Sequence, residues 1–360
     1  MSLSGRRTGQ PLALDSTAVR IAALDVGSNS FHLIVVQVTS AGNFEVLGRA
    51  KEMVRLGDSS LLTGIIPPAT FRRGLDALAT LRRFAERHQP DAVCAIATSA
   101  VREAQNGEEF VRAARDELGL DIKVVRGREE ARLIYLGARG SLDLNGERVA
   151  LFDLGGGSME VILADARQCY LTDSVKLGVI RLTEEWNPSD PPTARELGAL
   201  QTRVRRALEP VIARVRAMGF DVAAVSSGTA RALTKLIKRE YKAQGVGGSD
   251  DAAERGRDRG NGERVNRPTR LRLDALAELE RKLAGLTVKE RIKLPGLDER
   301  RADTILAGAV VLRTALELAG AESAILCKTA LREGIVADYL ARHRPDMLPA
   351  PHPVAPIAQT

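Results

Sequence analysis

A chain of 360 residues, 44% of them hydrophobic and 28% charged, carries enough apolar material for two ordinary cores and too many charges for a membrane bundle. The net charge of +7 points to an acidic partner, or simply to a solvated arginine-rich surface, while 3% aromatics leave little to stack against single-stranded bases. Three scattered cysteines with no CxxC or Cys/His cluster argue against zinc, and no apolar run is long enough to span a bilayer.

Residues 1–18 read as a disordered lead without a signal-peptide h-region, so a cytoplasmic protein is expected. Residues 19–57 alternate apolar and polar like the strands of a meander. Pro68–Gln89 places Phe71, Leu75, Leu78 and Ala85 on one helical face. Ala92–Ala97 reads as a buried strand. Asn106 is the expected N-cap of a helix over Gly107–Leu118, with Glu108 and Glu109 in its first turn. A strand over Ile122–Arg126 and a short helix over Arg128–Gly137 follow. Val149–Asp153 and Ser158–Ala164 are predicted strands, and Thr193–Met218 a long helix with Pro210 as a kink. Asp221–Ser226 is a strand and Thr229–Tyr241 a helix. Gln244–Pro268 is glycine-rich, charged and nearly free of apolar side chains, hence an exposed mobile insertion. Asp298–Leu318, Ser323–Cys327 and Ala330–Ala341 read as helix, strand and helix, before a Pro-rich unstructured tail over 342–360. This alternation predicts an α/β protein with two mixed sheets, divided as 19–140 and 141–341, with the helix 330–341 packing back on the first part.

Chemistry concentrates at short motifs. In LFDLGGGSMEVIL, Leu151–Leu163, a strand ends at Asp153, turns through Gly155, Gly156 and Gly157, and resumes after Ser158. Backbone N–H groups without a neighbouring Cβ bind phosphate well, although a plain glycine hairpin fits equally. ALDVGSNSFHLIVVQV, Ala23–Val38, is a second copy: Asp25 aligns with Asp153, Gly27 with Gly155, Ser30 with Ser158 and His32 with Glu160. Such a repeat predicts two related domains, each opening with the same hairpin. Two aspartate-bearing tips facing one cleft make a metal–phosphate site.

Four other segments join them. ATSAVREAQN, Ala97–Asn106, puts Arg102 beyond a strand end, to fork onto phosphate oxygens or to pair with an acid such as Glu103. In VVRGREEARLIYLG, Val124–Gly137, Glu129 and Glu130 open a helix, where they serve its dipole or activate a water molecule. VSSGTARAL, Val225–Leu233, offers Ser226, Ser227, Gly228 and Thr229 at a helix start, an anion site or a helix merely capped by Thr229. KTALREGIVADYL, Lys328–Leu340, has Leu331, Ile335 and Tyr339 on one face and is assigned mainly to structure, with Arg332 and Glu333 off that face and able to reach a cleft.

Together, ALDVGSNSFHLIV, ATSAVREA, GREEARLIYLG, FDLGGGSMEVIL, SSGTARAL, LPGLDERRADTILAGAVVL and ALREGIVADYL resemble the exopolyphosphatase/guanosine pentaphosphate phosphohydrolase (Ppx/GppA) family, from about Ile21 to Leu340. The resemblance implies duplicated ribonuclease-H-like domains of the actin/sugar-kinase/Hsp70 superfamily with a cleft between them. It looks like the short form, without the HD-type helical domain of longer members. It also implies removal of a terminal phosphate from inorganic polyphosphate or guanosine pentaphosphate, using Mg²⁺ and water.

By the same resemblance Glu130, not Glu129, is the general base, and Glu160 is a second essential carboxylate. Asp153 and Asp25 hold the metal. Gly155, Gly156, Gly157 and Ser158 cradle the phosphate; Asn29, Ser30 and Arg102 clamp it, with Ser227, Gly228 and Thr229 as further phosphate contacts. Lys176, Arg181, Arg231 and Lys235 are candidates for a positive cleft wall. Met159 stands where the family has threonine, and SSGT replaces a more glycine-rich loop. A non-hydrolysing sensor of polyphosphate or alarmone is the reading from another class, and the retained carboxylates speak against it. A kinase of the same superfamily is set aside because the EEAR segment is placed to activate water. No specific nucleic-acid partner is expected; a homodimer is.

Overall fold

The computed structural model describes residues 18–39, 44–142, 146–243 and 268–347. The expected lead, the insertion over 244–267 and the tail beyond 347 lie outside them. Two mixed sheets carry the fold. In the first, β1 (Val19–Val26), β2 (Phe31–Val38) and β3 (Phe44–Glu52) form the antiparallel meander, and β4 (Ala92–Ala97) and β5 (Ile122–Val124) continue in parallel beyond β1. In the second, β6 (Val149–Leu154), β7 (Met159–Ala164) and β8 (Cys169–Val175) form the meander. Strand β9 (Val222–Ser226) pairs in parallel with β6, β11 (Ser323–Leu326) in parallel with β9, and β10 (Arg270–Arg272) antiparallel at the edge. The orders β3-β2-β1-β4-β5 and β8-β7-β6-β9-β11 coincide strand for strand, with β10 added.

The helices are α1 (Ser60–Thr63), α2 (Pro68–Glu86), α3 (Ser99–Glu103), α4 (Gly107–Leu118), α5 (Gly127–Arg139), α6 (Val179–Trp186), α7 (Ala194–Met218), α8 (Gly228–Ala243), α9 (Leu273–Ala284), α10 (Val288–Ile292), α11 (Ile305–Ala319) and α12 (Leu331–His343). None of the described helices is long and apolar enough to cross a membrane.

Strand parity decides where the chemistry goes, because side chains alternate between the faces of a sheet. Ala22, Leu24 and Val26 of β1 pack outward with Leu75 and Leu78 of α2 and Phe110 of α4. Ile21 and Ala23 point the other way, into a cluster with Ile34, Val36, Val149 and Leu151. In β6, Ala150, Phe152 and Leu154 join the outer cluster, with Val204 and Leu208 of α7 and Val310 of α11. The inner cluster also holds Ala131, Leu133 and Ile134 of α5 and Leu331, Ile335 and Val336 of α12. Continued by one step, the inner parity reaches Asp25 in β1 and Asp153 in β6.

Several local expectations are corrected. Asn106 stands at the N-cap of α4, but its side chain makes no cap hydrogen bond; its carboxamide bonds both the N–H and the C=O of Ile66, fastening the entry to α2. The helix expected over Asp298–Leu318 is broken, because Asp298 caps its own short 3-10 turn, Glu299–Arg301, and α11 begins only at Ile305. Pro210 lies inside α7 without ending it, and Thr193 starts that helix with a capping box to Glu196. Helix α12 runs on to His343, with Met347 buried behind it.

Candidate active site

The tips of the β1–β2 and β6–β7 hairpins, the first turns of α5, α8 and α12, and Arg301 enclose one cavity of about 130 Å³. The hairpins touch. A Cβ on Gly157 would lie 2.5 Å from the Ser99 Cβ, and one on Gly156 would lie 3.0 Å from the Ser28 Cβ. The glycines are therefore required by the approach of the tips, whatever anion they hold.

Most of the residues singled out in the sequence line this cavity: Asp25, Asn29, Ser30, Glu130, Asp153, Gly155, Gly156, Gly157, Ser158, Ser227, Gly228 and Thr229. Asp25 Oδ1 is buried and accepts no hydrogen bond. Burial pushes its pKa up to about 7; Arg332 opposes the shift, and Glu130 and Asp153 add to it. Asp153 is also raised by burial, against the Ser226 hydroxyl that donates to its Oδ2. Glu130 is raised to about 7 by burial, with Arg102 opposing.

Glu160 does not line the cavity. It is buried behind Ser158, and its Oε1 accepts from the Ser158 Oγ at 2.7 Å and the Ser174 Oγ at 2.8 Å. Burial, then Glu130 and Asp153, raise its pKa well above the ordinary carboxylate value. The repeat read in the sequence reappears here as geometry. Asp25 faces His32 across its hairpin as Asp153 faces Glu160, and Ser30 lies 2.7 Å from His32 Nε2. Burial and the nearby cations Arg332, Lys51, Arg231 and Arg301 push His32 down to about 3, so it is a neutral imidazole.

The basic residues depart most from expectation. Arg102 neither faces the cavity nor pairs with Glu103. Its guanidinium donates to Glu130 Oε2 at 2.9 Å, Val125 O at 2.8 Å and Ser99 Oγ at 3.0 Å, because α3 and α5 bring these groups around it. Glu103 instead pairs with Arg181 and Lys176. Arg181 is not a cleft wall either: it is buried and holds the glycine tip from behind, through Gly157 O. Lys176 and Lys235 are exposed and outside the cavity lining, while Arg231 does line it. Arg301, not assigned to the site from the sequence, and Arg332, which the sequence reading had able to reach a cleft, line it too. Among the described residues the side chains of Arg231, Arg301 and Arg332 make no ion pair. Thr229 is not the N-cap of α8; the Ser227 Oγ accepts from the N–H groups of Thr229 and Ala230. Ser227 holds this place at a φ of +117°, a conformation that favours glycine, as the more glycine-rich form of the loop would supply.

No group of three or more carboxylate, histidine or cysteine side chains among the described residues forms a ready metal cage. A magnesium ion needs less: one or two carboxylates, with water and substrate phosphate oxygens completing the shell. The unpartnered Oδ1 of Asp25, with Asp153 on the same cavity wall, fits that requirement.

A model of the Ppx/GppA phosphatase family matches residues 34–343. The chain belongs to the Ppx/GppA phosphatase family. Exopolyphosphatase 1 of Mycobacterium tuberculosis, strain H37Rv, is 32% identical to this family member over 323 residues, 88% of this chain and 87% of that protein. Exopolyphosphatase 2 of the same species, strain CDC 1551, is 31% identical over 328 residues, 88% and 97% of the two chains. Among solved structures, an exopolyphosphatase from Cytophaga hutchinsonii shares the fold, with a TM-score of 0.78 over 90% of this chain and 98% of that one at 23% identity. The Ppx/GppA family member of Aquifex aeolicus gives 0.71 over 91% and 99%, at 25% identity.

Proposed function

We propose that this chain is an exopolyphosphatase, which hydrolyses the terminal phosphoryl group of inorganic polyphosphate. One observation carries the reading: a single cavity sets the carboxylates Asp25, Asp153 and Glu130 against the arginines Arg231, Arg301 and Arg332, which make no ion pair among the described residues. A polyphosphate end suits that polarity. Its outer phosphates satisfy the arginines, and its terminal phosphoryl group meets the N–H groups of Gly156–Ser158 and of Asn29 and Ser30. The start of α8 adds the N–H groups of Ser227 and Gly228 and the Thr229 hydroxyl for the same chain. The coinciding strand orders support reading the two sheets as duplicated actin-like domains with this cavity as their cleft.

Asp25 and Asp153 would hold Mg²⁺, which when bound neutralises phosphoryl charge. Glu130 orients the attacking water in line with the scissile P–O bond and takes its proton. The water oxygen bonds to phosphorus, the bridging oxygen leaves with the bond electrons, and the arginines and N–H groups stabilise that negative charge. Arg102 fixes the Glu130 carboxylate in place, and does not clamp the phosphate.

The test is phosphate release by purified protein with Mg²⁺, offered long-chain polyphosphate, guanosine pentaphosphate and ATP in parallel, beside Glu130→Gln. Release from polyphosphate that disappears in Glu130→Gln is the expected result. Release only from guanosine pentaphosphate moves the function to alarmone conversion. Tight binding of either anion without release replaces the hydrolase by a sensor.

A further inference from the structure

Ser174, on β8, lies outside the cavity lining, yet the supports of both glutamates meet there. Its hydroxyl donates to Glu160 Oε1 at 2.8 Å, the oxygen that also accepts from Ser158. It also abuts α5. A Cβ on Gly127, the first residue of that helix, would lie 2.4 Å from the Ser174 Cβ and 2.6 Å from its Oγ. Glu130 follows in the same first turn. One side chain thus touches both the Glu160 carboxylate and the starting point of the helix that carries Glu130.

The two hydroxyl donors to Glu160 are not equivalent. Ser158 lines the cavity and also lies 2.9 Å from the Ser99 Oγ. A serine hydroxyl has one proton, so a Ser158 that turns to a phosphate oxygen withdraws its hydrogen bond from Glu160. Ser174 does not reach the cavity, and its proton stays committed. Glu160 is only 1% exposed, so no bulk water replaces a lost donor.

We infer that Ser174 is a positioning residue for the reaction: it holds the Glu160 carboxylate while Ser158 serves the phosphate, and it sets the spacing between Glu160 and the Glu130 helix. This rests on the reading of Glu130 and Glu160 as working carboxylates.

Ser174→Thr keeps the hydroxyl, and Ser174→Val has nearly the same shape without it. Steady-state phosphate release from polyphosphate is measured for the parent, both variants, Glu160→Gln, and Glu160→Gln with Ser174→Val, after thermal melting has verified that each folds. Ser174→Ala replaces the valine variant should that one not fold. The expected result is a kcat about ten-fold lower for Ser174→Val, the loss of one buried hydrogen bond, with KM little changed. Ser174→Thr should stay near the parent, and the valine should cost nothing further once Glu160 is glutamine. If threonine and valine fall together, Ser174 acts by volume against Gly127 and the inference fails. It fails equally if valine keeps the parent kcat, or if its effect persists without Glu160. A parent that releases no phosphate from any substrate overturns the hydrolase reading itself, and the positioning role with it.

Discussion

Asp25 and Asp153 occupy the same step of β1 and β6, and burial raises the pKa of both. A carboxylate whose folded pKa is raised binds protons more tightly in the folded state than in the unfolded one. Its favourable contribution is complete below the ordinary value of 3.8 and is lost as pH rises through about 7. The metal-free protein should therefore melt at a lower temperature at about pH 8 than at about pH 5.5, and Mg²⁺ should restore most of the difference. Calorimetry with and without Mg²⁺ checks this, and Asp153→Asn should shrink both effects. Glu130, at about 7, makes a matching kinetic prediction: phosphate release should rise with pH through that value. Arg102 opposes the rise in its pKa, so Arg102→Gln should move that limb to higher pH in a pH–rate profile. The aspartates, the glycines and the pair Glu129 and Glu130 were legible because hairpin motifs and helix starts are local, while the choice of Glu130 came from the family resemblance. Arg301 was not legible, because it stands beside Arg300 in a charged run with no motif of its own. Arg102 was assigned to phosphate because its true partner is 28 residues away.

Helices α5 and α12 cross backbone to backbone. A Cβ on Gly137 would lie 1.9 Å from the carbonyl oxygen of Ala330, and one on Gly334 would lie 1.8 Å from that of Leu133. Thr329 Oγ1 donates to Gly137 O at 2.8 Å, and Arg132 of α5 pairs with Asp338 of α12. Glu130 rides on one helix and Arg332 on the other, so the crossing sets one side of the cavity. Gly334→Ala should destabilise the protein by about 1–3 kcal/mol or more, since neither backbone yields as a side chain does. It should also depress phosphate release more than an alanine at half-buried Gly198, where an added Cβ meets open space. Denaturant midpoints and rates on the two variants check both statements. The apolar face of α12 was legible from the spacing of Leu331 and Ile335, but not its close crossing with α5, because crossing glycines leave no pattern of their own. Strand β8 was missed because only Leu171 along it is fully buried, so its alternation is faint.

Across the whole molecule, Arg55 is the clearest tie between the first sheet and the segment that carries Arg301. Its N–H donates to Asn29 O at 2.8 Å, and its guanidinium reaches Asp58, the Arg300 carbonyl at 3.1 Å and Asp303 at 2.6 Å. Arg55→Ala should leave the melting temperature within a few degrees, because partly exposed ion pairs contribute little. It should raise KM for polyphosphate several-fold by loosening the Arg301 turn, which steady-state kinetics with melting curves would show. The two mixed sheets were legible from alternation and from the hairpin repeat. This tie was not, since it joins positions 248 residues apart. The place of α12 between the sheets also governs how the protein is made. A ribosome releases the chain from its N-terminus, so β1 to β5 emerge long before the helix that covers their inner face. Ile21, Ala23, Ile34 and Val36 stay uncovered on that side until Leu331–His343 has left the exit tunnel. A nascent chain halted before that helix is therefore not half an enzyme but a sticky, unfinished sheet, a natural client for chaperones and proteases.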